Sequence, residues 1–227
     1  MAIEWTCRRR SLALLDWADS HHSPSPPTLA PIQRVYEGPS EISLPAAMAR
    51  LLDKAAIEPG DIERIIVNRG PGSYTGIRIA LAAVQGFAAA STSLQIGIGS
   101  TLDCLSMRAR KLKEKIDAVG VYAQRGEVML EWLSGTPEKW NPEDPLVSIE
   151  ELVPLLRQSG SKLAGPDMEE RLPVDVYCPL TPEAIDLPAA PTKWIGADEL
   201  FRVEPLYVRE QEFIRAPKPR FSGLADT

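Results

Sequence analysis

A chain of 227 residues, 44% apolar and 25% charged, has the apolar mass for one large domain or two small ones and is not the composition of a disordered segment. Its formal charge of −6 has the wrong sign for a protein that grips nucleic acid with its own surface. Cys7, Cys104 and Cys178 are odd in number, far apart and without a CxxC pair, which speaks against a disulfide framework or a cysteine zinc site and points to a reducing compartment, the cytoplasm.

Taken in chain order, residues 3–16 read as two strands of a hairpin bent at Arg8, Arg9 and Arg10. These arginines lie inside the apolar pattern rather than ahead of it, unlike a signal peptide. Residues 20–31, rich in Pro and Ser, read as a loop, and 32–36 as a short extended stretch. Ser43 can cap a helix with Pro45 in its first turn and a stripe of Leu44, Met48, Leu51, Leu52 and Ala55, ending before Pro59 and Gly60. Residues 65–68 form a short buried strand.

Gly70, Pro71, Gly72 and Gly76 then force a turn, from which Ser73 or Thr75 can cap a helix reaching about Ala90. From 77 to 90 only Arg78, Gln85 and Gly86 interrupt the apolar residues, so two sides of this helix need cover. Its own sheet supplies one; a partner or the chain's own first helix supplies the other. On a 3.6-residue period Ile77, Ala80, Val84, Phe87 and Ala88 make the more apolar side, which should meet the sheet. Tyr74, Arg78, Leu81 and Gln85 make the side left for a partner, with Leu81 at its centre. The nearly uncharged stretch 79–100 suits this buried helix and a following strand rather than a membrane span.

Beyond it, 94–99 reads as a strand, 101–115 as a helix turning basic, and 116–122 with 127–133 as a hairpin about Gln124, Arg125 and Gly126. A loop at 135–145, a helix at 149–156 capped by Ser148, a strand at 162–164, a helical turn at 196–201 and a strand at 204–210 complete the reading. Strands followed by helices in each half predict an α/β protein of two layers, divided into 1–105 and a smaller 106–227.

The chemistry-bearing residues are few. The Gly-rich turn before a helix could hold an anion on backbone N–H groups, yet it lacks the Lys and Ser/Thr ending of a Walker loop, and its glycines equally allow tight packing. The two histidines, His21 and His22, are adjacent and cannot chelate one ion as helical positions four apart can. No GxSxG elbow occurs, and neither histidine is placed to serve Ser73 or Cys104. No catalytic set, metal or cofactor is expected.

The segment RGPGSYTGIRIALAAVQG at 69–86 closely resembles the GPGSFTGLRIGLATAKG-type signature of the TsaB (YeaZ) family. SLPAAMARLLDKAAIEPGDIERIIV, IGIGSTLDCL, AQRGEVMLEWL and EPLYVRE are similar to further family segments in the same order. The resemblance implies an actin/Hsp70-like (ASKHA) fold with a reduced second subdomain. It also implies a non-catalytic subunit that binds and activates TsaD in the threonylcarbamoylation of adenosine 37 of tRNA. The implied partners are a TsaD-like subunit, a TsaE-like ATPase and a second copy through the same helices, with tRNA met only indirectly and no membrane. IEWTC at 3–7 departs from the family's AIDTS-like strand end. Glu4 keeps the acid, Trp5 is expected to crowd a phosphate, and Tyr122 replaces an Asp of the hairpin. Weak ATP binding and no peptidase or transferase activity are expected of the isolated protein. The competing reading is a stand-alone ASKHA nucleotide-binding or phosphotransfer enzyme; a metallopeptidase would need metal ligands that the two histidines do not supply.

Overall fold

The computed structural model describes residues 1–16, 30–38, 42–90, 93–137, 145–190 and 192–207. In chain order it runs β1 (Ala2–Glu4), β2 (Arg10–Asp16), β3 (Ala30–Gly38), α1 (Leu44–Ala55), β4 (Arg64–Asn68), α2 (Tyr74–Ala90), β5 (Gln95–Gly99) and α3 (Thr101–Ala109). It continues through β6 (Ala118–Ala123), β7 (Glu127–Trp132), β8 (Leu146–Ser148), α4 (Ile149–Ser159), β9 (Leu163–Gly165), β10 (Tyr177–Pro179), a 3-10 segment (Ala184–Ala189), β11 (Lys193–Ile195) and α5 (Ala197–Leu200).

Six strands form the first sheet in the order β11-β5-β4-β1-β2-β3. β4 lies parallel to both β1 and β5, whereas β1 and β2 form an antiparallel pair with Ile3 opposite Leu12. Because side chains alternate along a strand, the sheet has two apolar faces. Ile3, Leu12, Leu14, Ile65, Val67, Ile96 and Ile98 meet α1 and α2 in one cluster. Ala2, Ala13 and Ile66, at the intervening positions, meet Ala184 and Leu187 of the 3-10 segment and Cys104 of α3. Each fully buried Leu or Ile contributes roughly 1.5–3 kcal/mol. The stripe expected on α1 is the buried one, Leu44, Met48, Leu51 and Leu52, behind a Ser43 hydroxyl that accepts from the Ala46 N–H.

The second sheet has the order β10-β9-β6-β7-β8. Its central hairpin turns where Arg125 and Gly126 take φ of 66° and 81°, and Val128 and Leu130 pack under Leu152 and Leu156 of α4. α3 carries Leu102 and Leu105 into a cluster with Val119 and Val121 of β6, while Cys104 on another side faces the first sheet, so this helix belongs to both layers. Arg108 strengthens the link, pairing with Glu183 at 2.9 Å and Asp186 at 2.6 Å.

Three expectations are corrected. The helix predicted over 101–115 stops at Ala109, because 110–115 offers only Leu112, itself 37% exposed, to bury. The division at 105/106 does not hold for the end of the chain: β11 is an edge strand of the first sheet, and α5 packs on β5 and α2. Residues 204–207 are not a strand, and 208–210 lie outside the described residues. Three-residue β8, β10 and β11 were too short to show a period. The loop containing His21 and His22 and residues 138–144 of the next loop also fall outside the described residues. No helix among the described residues is long and apolar enough to cross a membrane.

Candidate functional site

The Gly-rich turn separates a buried polar cluster from the exposed side of α2. Beneath it, Glu4 ends β1 with none of its surface exposed. The Thr6 N–H and hydroxyl donate to its Oε1 at 2.7 and 2.5 Å, and the Asn68 side chain donates to Oε2. Asn68 also donates to Thr101 at 3.0 Å and accepts from the Gly70 N–H at 2.9 Å. None of these donors carries a charge. Burial outweighs their three hydrogen bonds and raises the Glu4 pKa above the ordinary glutamate value.

The turn is packed against its own chain. The Ser73 N–H donates to the Thr6 carbonyl at 2.6 Å, and the Thr101 N–H donates to that of Gly70 at 2.9 Å. A Cβ on Gly76 would stand 2.1 Å from the Trp5 carbonyl oxygen, and one on Gly72 would stand 2.5 Å from that of Thr6. These glycines are needed for close approach, and the N–H groups of Gly70, Ser73 and Gly76, the last bonded to the Ser73 hydroxyl at 3.2 Å, are spent on protein acceptors. Trp5 does not crowd this place: it alternates to the other face and is 1% exposed in the core under the helices. The 3-10 segment packs on β1 and is tied to the first hairpin by the Ala184 N–H, which donates to Ser11 Oγ at 2.8 Å. Tyr122 serves its own hairpin, accepting from the Gly126 N–H at 3.2 Å and lying under Arg171.

Above the turn, α2 buries Ile77, Ala80, Val84 and Ala88 as expected. Leu81 is the correction. It is 4% exposed and belongs to the same cluster as Leu200, whose helix α5 packs along α2. The chain's own return covers Leu81, the centre of the side assigned to a partner, while Arg78 on that side stays exposed. The open side lies one residue onward, about 100° around the helix: Arg78, Ile79, Ala82, Gly86 and Ala89 are exposed, with Gln85 half-buried at its margin. Tyr74 is half-buried, and its ring lies 4.8 Å from that of Tyr207. Arg78 sits over the Tyr74 ring at 3.9 Å and donates from Nε to the Tyr207 hydroxyl at 2.7 Å. Sequence reasoning missed Tyr207 because it took the segment for a strand.

Other chemistry is sparse. No group of three His, Cys, Asp or Glu side chains that could hold a metal occurs among the described residues. Burial pushes the Cys7 and Cys104 thiols well above their ordinary value, which leaves them inert as nucleophiles. An open groove of about 880 Å³ runs beside β11, lined among others by Arg64, Ser93, Trp194, Asp198 and Glu199.

Comparison with known proteins places this arrangement. The family described as TsaD, tRNA N6-adenosine threonylcarbamoyltransferase, matches residues 40–130. Over 119 residues the chain is 33% identical to the tRNA threonylcarbamoyladenosine biosynthesis protein TsaB of Buchnera aphidicola subsp. Schizaphis graminum, covering 50% of this chain and 55% of that one. Over 82 residues it is 34% identical to the TsaB of Bacillus subtilis, covering 36% and 35%. The matched region thus spans about half, or less, of these relatives. Two solved structures share the fold across nearly the whole chain. One is an uncharacterized protein with similarity to peptidase YeaZ from Pseudomonas aeruginosa, with a TM-score of 0.60 at 22% identity over 92% of this chain and 98% of that one. The other is YeaZ from Pseudomonas aeruginosa, with 0.54 at 20% identity over 91% and 97%. The architecture is the actin/Hsp70-like (ASKHA) fold.

Proposed function

We propose that the chain is a member of the TsaB (YeaZ) family and takes part in tRNA threonylcarbamoyladenosine synthesis as a non-catalytic subunit that binds and activates a TsaD-like transferase. The observation that carries this reading is the open side of α2. A 17-residue helix with one charged residue exposes Ile79, Ala82, Gly86 and Ala89 in a row. Small side chains let a second helix approach closely, where dispersion contacts accumulate. Tyr74, Arg78 and Gln85 edge this surface, and Ala82 replaces Leu81 at its centre. A partner of the same architecture is apt, since the stretch matching the TsaD family holds α1, β4, α2 and β5. A stable pairing would bury roughly 800 Å² on each partner. The same surface suits a second copy of this chain when TsaD is absent; a TsaE-like ATPase and tRNA are met through TsaD.

The nucleotide-enzyme reading is the weaker one. An acid that holds Mg²⁺ beside phosphates must reach them, and Glu4 is fully buried with both carboxyl oxygens taken by Thr6 and Asn68. The deciding experiment is a pull-down of TsaD from the same organism by the wild type and by Ala82→Glu. The wild type retains TsaD; the variant loses it while its unfolding temperature stays within a few degrees. Normal capture by a folded Ala82→Glu means the partner docks elsewhere, and threonylcarbamoyl transfer by the protein alone overturns the non-catalytic role.

A further inference from the structure

The last described residues lie against the turn before α2, held there by one backbone hydrogen bond and one close approach. The Leu206 N–H donates to the Arg69 carbonyl at 2.8 Å, and the Leu206 carbonyl oxygen passes 2.7 Å from where a Cβ on Gly70 would stand. Gly70 has φ of 109°, so glycine there answers both the backbone angle and the passing strap. This tether sets Tyr207 beside Tyr74, with 31° between the ring planes, and its hydroxyl receives the Arg78 Nε hydrogen bond at 2.7 Å. The guanidinium lies 3.9 Å from one ring centroid and 5.8 Å from the other.

Arg78 is the sole charged residue of α2 and stands on its exposed side. An exposed arginine normally samples many rotamers and loses that freedom on docking. Here a residue 129 positions further along removes most of the freedom beforehand. With Nε committed to Tyr207, the Nη nitrogens carry the remaining N–H donors, more than one neighbouring phenol oxygen can accept. A planar, delocalised cation flanked by aromatic rings presents such donors best to a carboxylate.

We propose that the 204–207 strap is part of the partner-binding surface, with Tyr207 as a positioning residue that holds Arg78 ready for a carboxylate on the docking helix of the partner. This rests on the reading of α2 as the docking helix and adds a segment far from it in sequence. Holding the cation in its bound orientation before encounter lowers the cost of association without adding a contact.

Binding of TsaD from the same organism is measured by calorimetry for the wild type, Tyr207→Ala, Tyr207→Phe and Arg78→Gln, with thermal unfolding of each. Tyr207→Ala is expected to weaken binding about tenfold or more with an unchanged unfolding temperature. Tyr207→Phe, which keeps the ring and loses the hydroxyl, weakens it a few-fold. Arg78→Gln also flattens the dependence of affinity on salt, as loss of an ion pair requires. If the wild type binds and both Tyr207 variants bind equally well, the strap has no part in the interface, although the docking reading survives. If the wild type itself does not bind, that underlying reading fails and the strap proposal with it. Should Tyr207→Ala unfold early, the Phe variant decides: unaltered affinity there overturns the positioning role.

Discussion

The Gly-rich turn has a carboxylate beneath it and a guanidinium above it, and the two are held in opposite ways. Glu4 is buried at the end of β1 among the neutral donors of Thr6 and Asn68. Arg78 is exposed and held by the faces and hydroxyl of two tyrosines. A charge sealed in the interior has no route to a ligand, whatever its ancestry in the fold. A charge fixed at the surface keeps its field available. The difference teaches that the acid at the end of β1 is part of the interior in this chain, and that the outward side of α2 is where the proposed interaction is to be tested.

The largest effect expected from this division is at the neighbouring pair Leu81 and Ala82. Leu81→Glu places a carboxylate in the cluster shared with Leu200 and costs about 3–5 kcal/mol, a large share of an ordinary domain's stability of roughly 5–15 kcal/mol, so the denaturant midpoint falls sharply. Ala82→Glu, one position on, leaves unfolding by denaturant unchanged. Equal stabilities would erase the distinction between the two sides.

Next comes the floor of the turn. Gly76→Ala must displace the Trp5 carbonyl, 2.1 Å from the new methyl, and should lower stability by about 1–3 kcal/mol in urea titration. A neutral result would mean the turn has slack, and with it room for an anion.

The pH response of Glu4 is smaller. Its carboxyl keeps a proton to higher pH in the folded chain than in the unfolded one, where the value is near 4.5. Between those values the native state binds more protons, so this group's contribution to stability is full at low pH and is lost as pH rises. The stability difference between wild type and Glu4→Gln therefore moves toward the variant as pH climbs above 4.5. A flat or opposite trend in denaturant midpoints would show that the three donors outweigh burial. Smallest is the effect of nucleotide: with Glu4 sealed, calorimetry should find no ATP binding tighter than about 1 mM, and a micromolar constant would reopen the inner site.

The inner half of this contrast was legible in the sequence in outline. Regular periods exposed α1, β4, β5 and the buried stripe of α2, and glycine spacing marked the turn. The fate of Trp5 was misjudged because alternation along three-residue β1, which puts Trp5 and Glu4 on opposite faces, is set by pairing with β2 and β4 rather than by local pattern. The outer half was harder. Periodicity ranks the sides of a helix by polarity but cannot tell which polar margin a distant segment will cover. Leu81 was assigned outward because nothing near it announces α5, four residues long and more than a hundred positions away. Tyr207 was hidden for the same reason.

The return of the chain to its first sheet also sets an order in time. During synthesis the first 180 residues, including all of α1, α2 and the second sheet, emerge before β11 and α5 exist. Until then β5 has an unpaired edge and the flank of Leu81 stays bare, so the layer that carries α2 is finished last. A chain stopped short of residue 200 would present cellular quality control with an apolar helix flank, and only a chain carried past that point has that flank closed.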